Sequence, residues 1–235
     1  MTGSRMFPFI TKTWNPVVGC RHGCTYCWAK ELAEGKLKAT KRYKTGFLPM
    51  FWPKELRKSF KQDDFVFVSD MGDLFGEWVP REWYEEIFGV INSHYRTRFL
   101  FMTKNPWRYY FLGNSLPRNA VLGCTVESNR NYTVSTAPRQ QERIAAMRRL
   151  TFDYAVTAVY DRFIAVEPIV DFDLDVFSSL LIDIKPWAVA IGYDNYDNKL
   201  PEPSLAKTMQ LIDRLEKAGI TVYRKTLREA WNEKR

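Results

Sequence analysis

No apolar run in the 235-residue chain approaches the roughly 20 residues needed to span a bilayer as a helix. The opening stretch Met1-Thr-Gly-Ser-Arg-Met-Phe-Pro-Phe9 lacks the apolar core of a secretory signal, so a cytoplasmic protein is expected. There is no G-x-G-x-x-G and no Walker pattern, which removes the glycine-rich phosphate turns of doubly wound nucleotide-binding folds. No internal repeat, low-complexity tract or Pro/Gly/Ser-rich linker divides the chain, and residues 1–235 are expected to form one domain. Cysteine is scarce, four residues in all, and histidine scarcer, two. In a reducing compartment, cysteines that cluster point to metal ligation rather than to a disulfide framework.

Three of the four cysteines do cluster. Cys20-Arg-His-Gly-Cys24-Thr-Tyr-Cys27 is a C-x3-C-x2-C arrangement whose thiolates must share one loop and converge on one centre. Three thiolates leave a tetrahedral site one ligand short, as catalytic metal sites are. Iron–sulfur clusters use cysteines at similarly short spacings, usually four, so three would leave one iron open. Spacing alone allows either metal. A zinc-stabilised nucleic-acid-binding protein without catalysis would recruit His22 or Cys124 as the missing ligand. Cys124 lies in an apolar stretch, where a small core residue is the plainer reading.

The net charge of +8 is unevenly spread. Residues 30–61 hold ten Lys/Arg against three Asp/Glu, while the rest of the chain is nearly balanced at 25 against 24. Lys38, Lys41 and Arg42 belong to this basic segment, and Tyr43, Phe47, Phe51 and Trp52 are interleaved with it. Basic residues among aromatics suit a polyanion whose bases stack, so a nucleic acid or nucleotide partner is expected. A merely solvated helix and loop is the alternative.

At 46% hydrophobic and 15% aromatic, the chain can bury a large core. Continuous apolar runs at residues 65–68, 99–102, 120–126, 163–166, 187–191 and 221–223 read as strands buried on both faces of a parallel sheet. Helical patterns alternate with them. Pro80 reads as a first-turn proline before Trp83, Ile87, Val90 and Ile91. Ile144, Met147 and Leu150 form a second stripe, and Leu205, Met209, Ile212 and Leu215 a third, closed by Gly219. Nearly every strand ends in polar groups: Ser69, Asp70 and Asp73; Thr103-Lys104-Asn105; Thr125, Glu127 and Ser128; Glu167; Asp194-Asn195; Arg224-Lys225. Functional groups at many strand ends favour an α/β barrel, incomplete at this length, over a doubly wound sheet.

The cysteine loop, with Tyr26 before its last cysteine, resembles that of the radical S-adenosylmethionine (SAM) superfamily. Thr13-Trp-Asn-Pro-Val-Val-Gly-Cys20, Ser69-Asp-Met-Gly-Asp-Leu-Phe75, Met102-Thr-Lys-Asn105, Leu122-Gly-Cys-Thr-Val-Glu-Ser128, Ala165-Val-Glu-Pro168 and Ala218-Gly-Ile-Thr-Val-Tyr-Arg-Lys225 are similar, in the same order, to a phage-associated branch of it. Spore photoproduct lyase is a more distant likeness, through the Ser-Asp and Thr-Lys strand ends. The resemblance implies a partial (β/α)6-type TIM barrel, a [4Fe–4S] cluster held by Cys20, Cys24 and Cys27, and SAM chelating the fourth iron. It further implies cleavage of SAM to a 5′-deoxyadenosyl radical that abstracts a hydrogen atom, and an external flavodoxin- or ferredoxin-like electron donor.

Residue roles follow from the same resemblance. Tyr26 would pack on the SAM adenine; Ser69, Asp70 and Asp73, replacing the superfamily's usual Gly-Gly-Glu, would receive the SAM ammonium. Asp73 could instead cap the helix near Pro80. Lys104 would pair with the SAM carboxylate or a substrate phosphate, and Thr125, Glu127 and Ser128 would bind ribose or methionine portions. Glu167 would point to the barrel mouth, an ion pair with Arg162 or Arg224 being the alternative. His22 would hydrogen-bond the cluster or face solvent. Lys38, Lys41, Arg42, Asp194, Asn195 and Arg224 fall on the substrate side. Gly192-Tyr-Asp-Asn-Tyr196 stands where related sequences carry Gly-Gly-Glu-Ser-Gly, which leaves a peptide or small metabolite open as the substrate beside a nucleic acid, nucleotide or nucleobase.

Overall fold

The computed structural model describes residues 6–152 and 160–233; Met1–Arg5 of the opening stretch lie outside them. The first half of the chain forms β1 (Lys12–Trp14), β2 (Val17–Val18), α1 (Trp28–Glu34), β3 (Met50–Phe51), β4 (Phe65–Val68), α2 (Arg81–Ser93) and β5 (Arg98–Thr103). The second half adds α3 (Trp107–Leu112), β6 (Ala120–Thr125), α4 (Gln140–Phe152), β7 (Asp161–Val166), α5 (Leu174–Ile184), β8 (Ala188–Ile191), α6 (Leu205–Lys217) and β9 (Thr221–Arg224). Seven of the strands make one parallel sheet in the order β1-β4-β5-β6-β7-β8-β9, curled into a half barrel with β1 and β9 at its edges. The six expected strands all form, each end within two residues of its predicted place. The extra members are β1 and the short antiparallel pair β2–β3. No described helix is long and apolar enough to cross a membrane.

Continuous apolar runs become strands here because both faces of the sheet are covered. Successive side chains alternate between the faces. Val66, Val68, Phe99, Phe101, Ile164 and Val166 point outward into the main core beneath the helices. Phe65, Phe67, Leu100, Val121, Phe163 and Ala165 point into the barrel. The helices start where their sequences allow: Ser204 caps α6 by accepting the Lys207 amide, and Gly219 follows that helix at φ +79°. Pro80 is the residue just before α2 rather than its first helical residue, and it makes no side-chain cap.

Seven strands do not close the barrel, and the N-terminal segment fills the space they leave. Phe7 and Ile10 are buried among the inward side chains. The Phe9 ring lies 5.0 Å from Phe65 beside one edge of the sheet and 4.9 Å from Tyr223 on the other, with Trp187 at 5.1 Å. Phe7 meets Phe163 edge-on at 4.8 Å. The lower barrel is therefore a packed aromatic interior, and its cavity lies toward the carboxyl ends of the strands. Truncating a buried aromatic ring costs about 3–5 kcal/mol, so Phe7→Ala should lower the free energy of unfolding by that much in urea titrations. A variant within 1 kcal/mol of the parent would show that the segment does not carry the barrel's interior.

Candidate active site

The cysteine loop leaves β2 and is pinned to three other parts of the chain. The Gly19 amide donates to the Met71 carbonyl at 2.8 Å, the Cys20 amide to Phe47 at 3.1 Å, and the Thr25 amide to Val134 at 3.0 Å. Gly19 sits at φ +80°, a backbone shape that favours glycine, and a Cβ there would collide with the Leu48 carbonyl. A Cβ on Gly72 would come within 2.9 Å of the Gly19 carbonyl oxygen, so the loop docks on the end of β4 backbone to backbone.

All three thiols are free, half-buried, and line one cavity of about 820 Å³ over the barrel mouth. Cofactor pockets occupy roughly 300–1,000 Å³. The Cys20 sulfur accepts from the His22 amide at 3.4 Å, and Cys27 caps α1 by accepting from the Lys30 amide at 3.4 Å. Burial raises the Cys20 thiol, and the neighbouring Asp73 carboxylate raises it further; burial also raises Cys24 despite the pull of Lys104. Among the described residues, no group of three or more His, Cys, Asp or Glu is disposed to hold a single metal ion. Cys124 is not part of the site. It lies on the outer face of β6 in the main core, and burial pushes its thiol up to about 12.

Beneath the loop lies a buried charge cluster that joins four elements. Glu127, wholly buried just past β6, pairs with Arg143 of α4 at 2.9 Å and with Lys104 at the end of β5 at 3.3 Å. It also accepts a hydrogen bond from the Tyr26 hydroxyl, and Lys104 stands 5.2 Å over the Tyr26 ring. Burial alone would raise the Glu127 carboxyl; Lys104 and Arg143 outweigh it and hold the group down to about 2. One carboxylate against two cations leaves this cluster with one unbalanced positive charge, facing the cavity at Lys104.

Asp73 is a second anchor. One of its oxygens accepts from His22 Nε2 at 2.9 Å, Thr103 Oγ1 at 3.0 Å and the Lys104 amide at 3.0 Å, and the other from the Phe75 amide at 2.9 Å. Burial opposes its charge, but His22 and these donors keep the carboxyl lowered. Asp73 thus ties the cysteine loop to β4 and β5, and does not cap the helix at Pro80. His22 is buried, with its ring edge-on to Trp78 at 4.9 Å, rather than solvent-facing.

The other expected residues divide between cavity and elsewhere. Asp70 lines the cavity; burial raises its carboxyl against a 2.5 Å hydrogen bond from Asn15. Thr125, Glu167, Asp194 and Asn195 line it too. Glu167 pairs with Lys225 at 2.8 Å, so neither Arg162 nor Arg224 is its partner. The Asp194 carboxylate is engaged locally by the Tyr196 and Asn198 amides. Ser69 is buried at φ +58°. Ser128 faces away, donating to the Asp171 carbonyl at 2.6 Å. Arg224 lies on the outer side of β9 against Glu216 at 2.9 Å. Lys38 and Lys41 are exposed, and Arg42 pairs with Glu55 at 2.8 Å while lying over the Trp52 ring. Arg143 and Lys225 were not among the expected site residues.

Comparison with known proteins agrees with this architecture. The family described as "Protein of unknown function (DUF5131)" matches residues 5–229. A search of the curated proteins finds no match. Among solved structures, a double mutant of spore photoproduct lyase with bound AdoMet and dinucleoside spore photoproduct superposes with a TM-score of 0.60 at 10% identity, over 97% of this chain and 81% of that one. A single mutant of the same enzyme gives 0.61 at 11% identity, over 96% and 79%. SuiB of Streptococcus suis bound to its precursor peptide SuiA gives 0.54 at 10% identity, over 92% of this chain and 49% of SuiB. The chain has the fold of these proteins, and spans about half the length of SuiB.

The Glu127 cluster sets a pH dependence. A carboxyl held near 2 instead of its ordinary 4.5 contributes stability that is complete above pH 4.5 and disappears as pH falls through about 2. Unfolding midpoints in urea should therefore drop steeply below pH 4.5. Glu127→Gln leaves Lys104 and Arg143 without their buried counter-charge and should cost about 3–5 kcal/mol at pH 7. An acid profile identical in parent and variant would remove Glu127 as its source.

Proposed function

The chain belongs to the DUF5131 family, and from its own residues we propose that it is a radical SAM enzyme acting on a nucleic acid, nucleotide or nucleobase. The observation that carries the reading is the set of three free thiols facing one cavity at the mouth of this partial barrel. The donor set fits an iron–sulfur cluster. In a cluster each thiolate takes a separate iron, so three cysteines can share a cavity without forming a mononuclear site. Backbone amides already donate to two of the sulfurs, the contacts by which proteins tune such clusters. When bound, the [4Fe–4S] cluster and SAM supply a 5′-deoxyadenosyl radical able to abstract a hydrogen atom from a substrate.

The chain's residues supply the rest. Cys20 and Cys24, whose proton affinity burial raises, must lose their protons to ligate, and Lys104 favours the resulting negative charge at Cys24. Asp70 is the carboxylate best placed for the methionyl ammonium, since Asp73 is saturated by four donors. Tyr26, held by Glu127, presents its ring for the adenine, and Thr125 offers a hydroxyl to the ribose. Across the cavity, Glu167 and Lys225 form a donor–acceptor pair suited to the polar edge of a substrate.

The nucleic-acid assignment rests on the mouth of the cavity. Leu32 and Phe47 of the basic segment line one side of it, and exposed Tyr196 with Asn195 lines another. Lys38 and Lys41, exposed in the same segment, offer cations to a polyanion's phosphates. The dinucleoside bound by spore photoproduct lyase is a substrate of this kind.

Anaerobic reconstitution with iron and sulfide should yield a brown protein with about four irons per chain that cleaves SAM to 5′-deoxyadenosine on reduction. Alanine at Cys20, Cys24 or Cys27 should abolish both properties. Stoichiometric zinc without SAM cleavage would overturn the reading. With single-stranded oligonucleotides, the Lys38→Glu/Lys41→Glu variant should bind more weakly with a shallower salt dependence. Equal binding would instead favour a peptide or small metabolite. Lys225→Met should retain reductive SAM cleavage measured without substrate.

A further inference from the structure

Three neighbouring strands end in one polar wall of the cavity. Val166, Ile191 and Arg224 pair in register at the ends of β7, β8 and β9, so the residues that follow, Glu167, Gly192 and Lys225, lie side by side. Ala188 and Ala190 face inward along β8, and Gly192 continues that series. With only small residues between them, the Lys225 ammonium crosses the end of β8 and reaches Glu167 Oε2 at 2.8 Å. A Cβ on Gly192 would stand 3.0 Å from the Lys225 Cβ and 3.5 Å from Glu167 Oε1. Glycine therefore keeps this wall shallow and leaves room beside the carboxylate.

The ion pair leaves hydrogen-bonding capacity unspent. Lys225 uses one of its three N–H donors on Glu167, while its ammonium lies 4.9 Å over the Phe7 ring. Glu167 Oε1 accepts no hydrogen bond among the described residues. The two side chains are only 16% and 18% exposed, and both line the cavity. A ligand that brings donors to the carboxylate and an acceptor to the ammonium, side by side, completes both groups where water is scarce.

Bases differ in how well they meet that demand. The pairing edge of guanine carries two adjacent N–H donors, at N1 and N2, and then the O6 acceptor. Adenine and cytosine each set one amino donor beside one ring-nitrogen acceptor, so they make one contact fewer. Uracil and thymine flank a single N–H with two carbonyls, one of which would face the carboxylate. We propose that Glu167 and Lys225 form a guanine-selective subsite, in which Glu167 accepts from N1–H and N2–H and Lys225 donates to O6. The inference rests on the nucleotide part of the reading above and names its base. Tyr196, 62% exposed at the rim, offers its ring to the next base of a strand. A guanine read on this edge is unpaired, so a duplex would have to release it first.

The test uses the reconstituted enzyme with SAM, kept anaerobic and unreduced, and measures binding of the 5′-monophosphates of guanosine, inosine, adenosine, cytidine and uridine by calorimetry. Guanosine monophosphate should bind about tenfold or more tightly than any of the others. Inosine monophosphate lacks only the N2 amine and so isolates the second donor to the carboxylate. Glu167→Gln exchanges one acceptor oxygen for a donor and should bring guanosine and inosine monophosphates within about threefold of each other. A variant that weakens both alike and keeps their ratio would overturn the role of Glu167, since a merely structural change acts on both. In the parent, equal binding of guanosine and inosine, preference for another base, or no nucleotide binding would overturn the subsite, and SAM cleavage by the same preparation would leave the radical SAM reading standing. Guanine preference in a preparation that cleaves no SAM on reduction would do the reverse, keeping the subsite and overturning the radical SAM reading.

Discussion

A single carboxylate buried among two cations and a phenol organises the mouth of this barrel. Glu127 holds Tyr26 of the cysteine loop, Lys104 of β5 and Arg143 of α4 in one cluster with no exposure of its own. Such a group is unfavourable to bury unless every partner is present. The loop, the strand end and the helix are therefore correct together or not at all. Asp73 performs a similar service on the other side, binding His22, Thr103 and the Lys104 amide. Between the two anchors the thiols are presented on a scaffold of fixed backbone, which is how a preorganised site is built.

The second organising rule is the two-residue period of the strands. Along β5 and beyond it, Leu100, Met102 and Lys104 face inward, and along β7 Phe163, Ala165 and Glu167 do the same. Each series runs from apolar in the packed lower barrel to ionisable at the mouth. The barrel thus has a dry base and a charged rim, and the cavity occurs where side chains change character.

Much of this was legible in the sequence because burial on both faces leaves uninterrupted apolar runs, and six strands could be placed from them. The half barrel followed from polar groups at so many strand ends. What escaped has identifiable causes. β2 and β3 are two residues each, too short for any periodicity to register. Arg224 was chosen over Lys225 because both end the same strand; parity with the inward Tyr223 would have selected Lys225. Arg143 reads as one charge among many in Gln140–Phe152, yet it lies one turn before Met147, on the buried face of α4. Ser128 looks like a ligand in sequence and is spent on the Asp171 carbonyl, a long-range partner that no local pattern reveals.

The aromatic plug at Phe7 and Phe9 has a consequence for how the molecule is made. This segment leaves the ribosome before any strand of the sheet, but its resting place is walled partly by Trp187, just before β8, and by Tyr223 of β9. During synthesis it has no finished barrel to enter. Its capture must be among the last events of the barrel's folding, closing a loop that runs from before β1 to β9, and contacts of such long sequence separation form slowly. Until then an apolar leading segment and an open sheet are exposed together, and the nascent chain is at its most vulnerable to self-association.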